Sequence, residues 1–95
     1  MILVRDTFVA RPGYASKLAA LMKEVAALGI VGKCRVMTDM TGDFNRVVLE
    51  TEANSLAELE KRMEEYGKDE ALHQKMKGYT EMYVTGRREV FRVWS

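Results

Sequence analysis

A chain of 95 residues is long enough for one domain, which we place at residues 1–95, and its 47% hydrophobic and 31% charged composition excludes an intrinsically disordered protein. The net charge of +1 provides no field that would attract nucleic acid or an anionic membrane surface. Charges at Arg5 and Asp6 interrupt the N-terminal apolar run, which argues against a signal peptide, and no segment approaches the roughly 20 apolar residues of a membrane span. We therefore expect a cytoplasmic protein with neither nucleic-acid nor membrane partners.

The first ten residues predict a strand, and its large apolar residues occur on both alternating sets. The segment "RPG" at 11–13 ends this strand. From Tyr14 onward the apolar period becomes that of a helix, and Gly29 provides a natural C-terminal stop. The predicted apolar face of this helix consists of Tyr14, Leu18, Leu21, Met22, Val25 and Leu28.

Two further strands are predicted from about Lys33 to Met40 and from about Asn45 to Glu52. Between them, "TGDF" at 41–44 predicts a tight turn in which Gly42 adopts a positive φ.

A second helix is predicted to begin after Ser55, since Glu58 three residues later completes a capping box. Its predicted buried stripe is Leu56, Leu59, Met63 and Tyr66, and its predicted end is Gly67. Asp69 is the expected cap of a short further helix that carries Leu72 and Met76 and ends at Gly78. The last strand is expected to occupy "YTEMYVTGRREVFRVW", residues 79–94, with a bulge at Gly86.

The resulting order is β-α-β-β-α-β, which indicates an α+β ferredoxin-like fold with a four-stranded antiparallel sheet and helices on one face. The other face of such a sheet is either solvated or covered by another molecule. Several apolar residues remain after the helix-facing set is chosen: Met1, Leu3, Val9, Met37, Val48, Tyr83, Phe91 and Val93. An apolar surface of that size is typical of an interface, so we expect two sheets to close into a dimeric α/β barrel.

The alternative to this dimer is a monomer whose second sheet face is polar enough to remain in water. Charged residues expected on the same alternating set favour that alternative, namely Arg5, Asp39, Arg46, Glu50, Glu52, Arg87 and Glu89.

The layout of nearly the whole chain resembles the dimeric α/β-barrel superfamily, and in particular its NIPSNAP-like and antibiotic biosynthesis monooxygenase-like members. The segments that carry the resemblance are "FVARPGY" at the end of the first strand, "DEALHQKMKGY" after the second helix and the closing "GRREVFRVW". The resemblance implies a homodimer with a small-molecule pocket between the sheet and the helices of each subunit. The superfamily includes cofactor-free monooxygenases, haem-degrading monooxygenases and lactone isomerases, and the resemblance does not choose among them.

Haem-degrading members of the superfamily use a histidine in the region of His73, with an asparagine on the first strand and a tryptophan nearby. Here the first strand carries Asp6 and Thr7 instead of the asparagine, and the only tryptophan is Trp94. The sequence therefore argues against haem degradation and favours His73 as a solvated residue of a charged helix.

A cofactor-free monooxygenase needs groups that hold an aromatic substrate and stabilise an anion derived from it. One candidate group consists of Tyr66, Tyr79 and Tyr83 with Arg35 or Arg88, for which the alternative is ordinary packing of half-buried tyrosines.

Asp6 is a second candidate, because it shares an alternating set with otherwise apolar residues of the first strand. A buried carboxylate is either paired or shifted in pKa, and such groups are common in active sites. Asp6 is thus predicted either to line the pocket as a base or hydrogen-bond acceptor, or to pair with an arginine of a neighbouring strand, or to lie at the rim of the sheet.

Other chemistries find no support in the sequence. Cys34 has the pattern of a small core residue, and one histidine with one cysteine does not form a metal cluster of known spacing, so we expect neither a metal nor another cofactor. The third strand, "NRVVLETE", lacks the aromatic residues of an RNA recognition motif.

The prediction is a small-molecule-binding homodimer, either a cofactor-independent monooxygenase or isomerase acting on an aromatic or cyclic compound, or a non-catalytic ligand-binding or stress-associated dimer.

Overall fold

The computed structural model describes residues 1–29 and 32–94. The elements are β1 (Ile2–Ala10), α1 (Ala15–Ala27), β2 (Cys34–Thr38), β3 (Arg46–Ala53), α2 (Leu56–Lys68), α3 (Glu70–Lys75), a short 3-10 turn (Tyr79–Glu81) and β4 (Tyr83–Arg92). The predicted β-α-β-β-α-β order is confirmed, including the short additional helix after the second one.

The four strands form one antiparallel sheet in the order β2-β3-β1-β4. This is the strand order of the ferredoxin-like fold, so the predicted fold class is confirmed. In the register of the two central pairings, Asp6 of β1 lies between Leu49 of β3 and Arg88 of β4. Residues that alternate along the strands lie on opposite sides, which we call the inner face, toward the helices, and the outer face.

The core lies between the inner face and the first helix. Leu18 and Met22 of α1 pack on Ala10, Val47 and Leu49 of the sheet. These five residues are buried, and half-buried apolar side chains surround them. A smaller cluster joins α2 to the sheet, through contacts among Val4, Ala53 and Leu59.

Both predicted helix caps are confirmed. The Ser55 hydroxyl accepts a hydrogen bond from the Glu58 amide at 3.1 Å, and the Glu58 carboxylate accepts one from the Asn54 amide at 2.9 Å. The Asp69 carboxylate accepts a bond from the Leu72 amide at 2.9 Å, which begins α3. The bonds to the Glu58 and Leu72 amides satisfy groups that the first turn of a helix cannot pair internally, and the bond from the Asn54 amide fixes the residue before the cap.

Two predictions about α2 are wrong. Gly67 does not end α2, which continues to Lys68, because the chain turns only at Asp69, whose backbone is extended. Leu56, the first residue of α2, was predicted to belong to the buried stripe and is exposed.

The predicted tight turn between β2 and β3 is also wrong, since residues 39–45 form a longer loop. Gly42 has the expected positive φ, but Phe44 and Asn45 adopt positive φ as well, at 67° and 58°. Arg46 holds this loop in place, because the Asp39 carboxylate accepts bonds from both its amide and its side chain, at 3.1 and 3.2 Å.

The last strand differs from the prediction at its N-terminal end. It begins at Tyr83 rather than Tyr79, and its bulge is at Val84 rather than Gly86, since Val9 pairs with Thr85 and Ala10 pairs with Tyr83. The extra residue turns Tyr83 to the inner face, where it packs on the core, so the expectation that it shares the outer face with Phe91 is wrong.

Within the described residues, no helix combines the length and the apolar character that a membrane span requires.

Candidate functional site

The inner face carries one ion pair between its two neighbouring strands β1 and β4. Arg88 donates two hydrogen bonds to Asp6, from Nε to Oδ1 at 2.6 Å and from Nη2 to Oδ2 at 3.2 Å. The Asp6 side chain is 16% exposed, whereas that of Arg88 is 51% exposed. Asp6 is therefore on the helix-facing side of the sheet, as predicted. It also pairs with an arginine of a neighbouring strand, which was the alternative to a role as a base.

Side chains from the helical layer surround this pair. The Met63 sulfur of α2 lies 3.6 Å from Nη1 of Arg88, and one helical turn later Tyr66 is half-buried beside the same guanidinium, whose charge acts on its phenol. Tyr79 reaches the pair from the 3-10 turn, and its ring centroid is 5.7 Å from that of Tyr83. We call Asp6, Arg88, Tyr66, Tyr79 and Tyr83 the inner cluster.

Two phenols of the inner cluster, those of Tyr66 and Tyr79, have a raised pKa and stay neutral at physiological pH. Burial raises the pKa of Tyr66, although the positive charges of Arg62 and Arg88 oppose the shift. Burial also raises the pKa of Tyr79, and the neighbouring Tyr83 raises it further. A neutral phenol can donate a hydrogen bond to a carbonyl or an oxyanion, which an ionised phenol cannot do.

Arg88 supplies the positive charge of the inner cluster. Its hydrogen bonds with Asp6 raise the pKa of the guanidinium above its ordinary value. A guanidinium has five N–H donors; two of them bond to Asp6 and one, on Nη1, points at the Met63 sulfur, which leaves two available. The pair therefore fixes the direction of the guanidinium and leaves donors for another acceptor.

Two predicted site residues lie elsewhere. Arg35 belongs to the outer face, where it bonds to Glu50 across the sheet, so it cannot act together with the inner tyrosines; Arg88 is the arginine that does. His73 is exposed on α3, and its Nε2 lies 3.0 Å from the carbonyl oxygen of Tyr66. His73 thus contacts the backbone of the cluster rather than its polar groups.

Cys34 of β2 is half-buried against the core, in agreement with its prediction as a small core residue. Burial raises the pKa of its thiol, so the reactive thiolate is disfavoured at neutral pH. Among residues 1–29 and 32–94, no three His, Cys, Asp or Glu side chains come together as metal ligands would.

The outer face carries a row of alternating charges that the sequence pattern does not reveal. Arg35 pairs with Glu50, Glu50 pairs with Arg5, and Arg5 pairs with Glu89, with one residue from each strand in the order β2, β3, β1, β4. We call these four residues the charge ladder. The Glu50 carboxylate accepts bonds from Nε of Arg5 at 2.8 Å and from Nη2 of Arg35 at 2.7 Å.

The charge ladder crosses an open concavity of about 640 Å³ on the outer face. Apolar side chains lie on both sides of the ladder, and they are partly shielded by the long charged residues: Leu3, Val9, Met37 and Val48. No helix of the described residues packs on this face.

Solved structures with the same fold support the resemblance seen in the sequence. A NIPSNAP-like domain protein from Burkholderia xenovorans has a TM-score of 0.87 at 17% identity, covering 99% of this chain and 85% of that one. A NIPSNAP family protein from Agrobacterium tumefaciens has a TM-score of 0.85 at 14% identity, covering 96% and 90%. An antibiotic biosynthesis monooxygenase has a TM-score of 0.72 at 14% identity, covering all of both chains.

No protein-family model matches the chain, and no curated protein matches it in sequence. The identities to the solved structures are low, so the likeness establishes the fold alone. Over nearly its whole length, the chain has the ferredoxin-like fold of NIPSNAP and antibiotic biosynthesis monooxygenase proteins.

Proposed function

We propose that the protein is a homodimer that binds a small aromatic or cyclic compound at the inner cluster and acts on it without a cofactor, as a monooxygenase or an isomerase. The observation that carries the proposal is the Arg88 guanidinium, which Asp6 fixes in direction, which keeps free donors, and whose charge acts on the half-buried phenols of Tyr66 and Tyr79.

This arrangement suits a compound that carries a carbonyl or enol oxygen on a ring. Arg88 offers a positive charge to an oxygen that gains negative charge, and Tyr66 or Tyr79 offers a neutral donor to the same oxygen. The rings of Phe8, Tyr79 and Tyr83 contact one another, with centroid separations of 5.0 and 5.7 Å and interplanar angles of 58° and 38°, so a planar compound would meet ring edges as well as a ring face.

The fold supports the proposal in a general way. Solved structures with this fold include an antibiotic biosynthesis monooxygenase, and that protein's activity is a hypothesis for this chain rather than a transfer of function.

The homodimer is the second part of the proposal, and it rests on the outer face. That face is concave, it is covered by no described helix, and it contains the half-buried apolar residues Leu3, Val9, Met37 and Val48. A second copy would remove these groups from water, and each fully buried large apolar side chain stabilises an assembly by about 1.5–3 kcal/mol.

A non-catalytic ligand-binding or stress-associated dimer is the second candidate function. Both Asp6 oxygens are already bonded to Arg88, and Met63 lies against the same guanidinium. This observation favours a structural ion pair over a catalytic base, and it makes binding and turnover separate questions.

The test compares two adjacent arginines of β4 that lie on opposite faces of the sheet. Binding of 1-naphthol, a planar hydroxyaromatic probe, is measured by calorimetry for the wild type, Arg88→Gln and Arg87→Gln, and oxygen consumption is recorded in the same samples. We expect wild type and Arg87→Gln to bind alike, and Arg88→Gln to bind at least about tenfold more weakly, since one charge-assisted hydrogen bond contributes about 1.5–3 kcal/mol.

Equal binding by all three proteins would overturn the inner cluster as the ligand site. Binding that requires Arg88, without oxygen consumption or any change in the compound, would favour the non-catalytic candidate.

A further inference from the structure

The order of positive and negative residues along the charge ladder has a symmetry that becomes important when two copies meet. Across the sheet the signs read positive at Arg35, negative at Glu50, positive at Arg5 and negative at Glu89. An alternating row of four charges gives the opposite sequence when it is read from the other end. The ladder is therefore complementary to a reversed copy of itself.

Three charges of the ladder retain exposed surface, whereas Glu50 is buried, with 4% of its side chain exposed. The side chains of Arg35 and Arg5 are 72% and 40% exposed, and that of Glu89 is 36% exposed. Arg5 uses only Nε to bond Glu50, so the outer nitrogens of its guanidinium are free to donate further. Among the residues that the structure describes, Glu89 makes one long ion-pair contact, 3.8 Å, with Arg87. The end of the ladder at β4 therefore has the weakest internal pairing.

Two sheets that stack face to face are related by a two-fold axis that lies in the plane between them. If this axis runs parallel to the strands, between β3 and β1, the strand order of the second copy is reversed relative to the first. Each β2 then faces β4 of the partner subunit, and each β3 faces β1. The sheets of such a pair stay aligned within about 30°, so the rows remain opposed.

Other orientations give poorer matches. An axis perpendicular to the strands and passing through the ladder would place each ladder residue opposite the same residue of the partner subunit. Arg5 would then meet Arg5 of the partner subunit. An axis displaced by one residue along the strands would set Arg35 and Glu50 against the apolar side chains of Met37 and Val48 from the partner subunit. Like charges in contact, and charges buried against apolar groups, are both unfavourable.

We infer that the two-fold axis of the homodimer runs parallel to the strands, and that the charge ladder selects this orientation by placing Arg35 against Glu89 of the partner subunit and Glu50 against Arg5 of the partner subunit. The inference rests on the proposed sheet-to-sheet dimer and adds its orientation and its specificity. The apolar groups on both sides of the ladder supply affinity, whereas the ladder rejects other pairings.

The test exchanges charges between the two ends of the ladder. Arg35→Glu places two carboxylates together at both symmetric contacts, and Glu89→Arg places two guanidinium groups together. Each variant alone is expected to weaken the dimer by about tenfold or more at low ionic strength. An equimolar mixture of the two variants restores opposite charges at both contacts, so native mass spectrometry is expected to show the mixed dimer in large excess over either homodimer.

Matched charge reversals on the exposed side of α2, Lys61→Glu and Glu64→Arg, serve as controls and are expected to leave the dimer unchanged. Thermal unfolding of each variant shows whether it is folded. A second measurement does not depend on charge reversal. In a Cys34→Ala background, a chain with Arg35→Cys is mixed with a chain with Glu89→Cys and treated with a short bis-maleimide.

The inference predicts efficient cross-linking between the Arg35→Cys and Glu89→Cys chains and little between two Arg35→Cys chains. If the wild type is dimeric, two results would overturn the orientation and leave the proposed dimer standing: efficient cross-linking between two Arg35→Cys chains instead of the mixed pair, or no preference of the Arg35→Glu and Glu89→Arg variants for each other. A monomeric wild type would remove the dimer and the orientation together.

Discussion

Arg88 and Asp6 are 82 residues apart in the sequence and are joined by two hydrogen bonds on the inner face of the sheet, at 2.6 and 3.2 Å. The pairing joins the first strand to the last, so the two ends of the chain fix one polar site. It also satisfies a carboxylate that lies among apolar residues of β1, where an unpaired charge would be costly.

Asp6→Asn is expected to lower the free energy of unfolding, because an amide can accept only one of the two bonds that Arg88 donates. We expect a loss of about 1 kcal/mol, which is small for a buried pair because solvent screens the half-exposed arginine. Urea denaturation measures this loss. Asp43→Asn is the control, since its side chain is 86% exposed and 3.8 Å from Arg46, and it is expected to change the free energy by no more than about 0.5 kcal/mol. Equal effects of the two substitutions would count against a structural role for the Asp6–Arg88 pair.

The ionisation of Glu50 predicts a loss of stability in acid. Hydrogen bonds from Arg35, followed by those from Arg5, lower the pKa of Glu50 below its ordinary value of 4.5, although burial opposes the shift. A carboxylate with a lowered pKa in the folded state stabilises the fold fully above its ordinary pKa, and that stabilisation is lost as the pH falls below about 4.5 toward the folded-state value.

As the pH falls below 5, the free energy of unfolding of Glu50→Gln is expected to decline less steeply than that of the wild type. Urea titrations at each pH measure this decline. Asp39, whose pKa is lowered by Arg46, leaves part of the decline in place. The control Glu64→Gln, at an exposed position of α2, is expected to follow the wild type. A Glu50→Gln curve parallel to that of the wild type would show that Glu50 does not contribute to acid sensitivity.

Two glycines are expected to respond to substitution with opposite signs. A Cβ at Gly86 would lie 3.3 Å from the Phe8 ring and from the Thr7 carbonyl oxygen, so Gly86→Val is expected to displace Phe8 and cost about 1–3 kcal/mol. Gly67 is inside α2 with nothing within 4 Å of the added Cβ, so Gly67→Ala is expected to stabilise the protein by about 0.5–1 kcal/mol. Thermal unfolding measures both changes, and a stabilising Gly86→Val would contradict the packing of Phe8 over this glycine.

Local patterns in the sequence predict much of this fold. The helical period of α1 and the caps at Ser55 and Asp69 depend on residues within one or two turns. Both caps are confirmed, and so is the buried middle of the α1 face, whereas Tyr14 and Leu28 at its two ends are exposed. The bulge at Val84 could not be predicted in this way, because it depends on pairing with β1, which is more than 70 residues away in the sequence. That single extra residue moved Tyr83 from the expected outer face to the inner cluster.

The same reason limited the prediction of the site. The sequence pattern placed Asp6 in an apolar row and grouped three tyrosines, but it could not decide between Arg35 and Arg88 as their arginine. Only the strand register places Arg88 opposite Asp6 and Arg35 opposite Glu50. The charge ladder depends on three pairings at once, so no segment of the sequence contains its signal.

A charge introduced on the outer face is expected to separate the subunits without unfolding them. Leu3→Asp places a carboxylate next to the ladder at a half-buried position, where a dimer would bury it without a partner. We expect the dissociation constant to rise at least about tenfold, as sedimentation velocity would show, while far-ultraviolet circular dichroism stays unchanged. Leu56→Asp, at an exposed position of α2, is the control and is expected to remain dimeric. Dissociation by Leu56→Asp but not by Leu3→Asp would place the interface on the helical side.

The mass of the protein in solution tests most directly whether the outer face is covered by a second copy. Size-exclusion chromatography with light scattering, at micromolar concentration and neutral pH, is expected to give twice the chain mass of 10.8 kDa. A single species at 10.8 kDa over the whole concentration range would contradict the account, because Leu3, Val9, Met37 and Val48 would then face water with only the charge ladder to shield them.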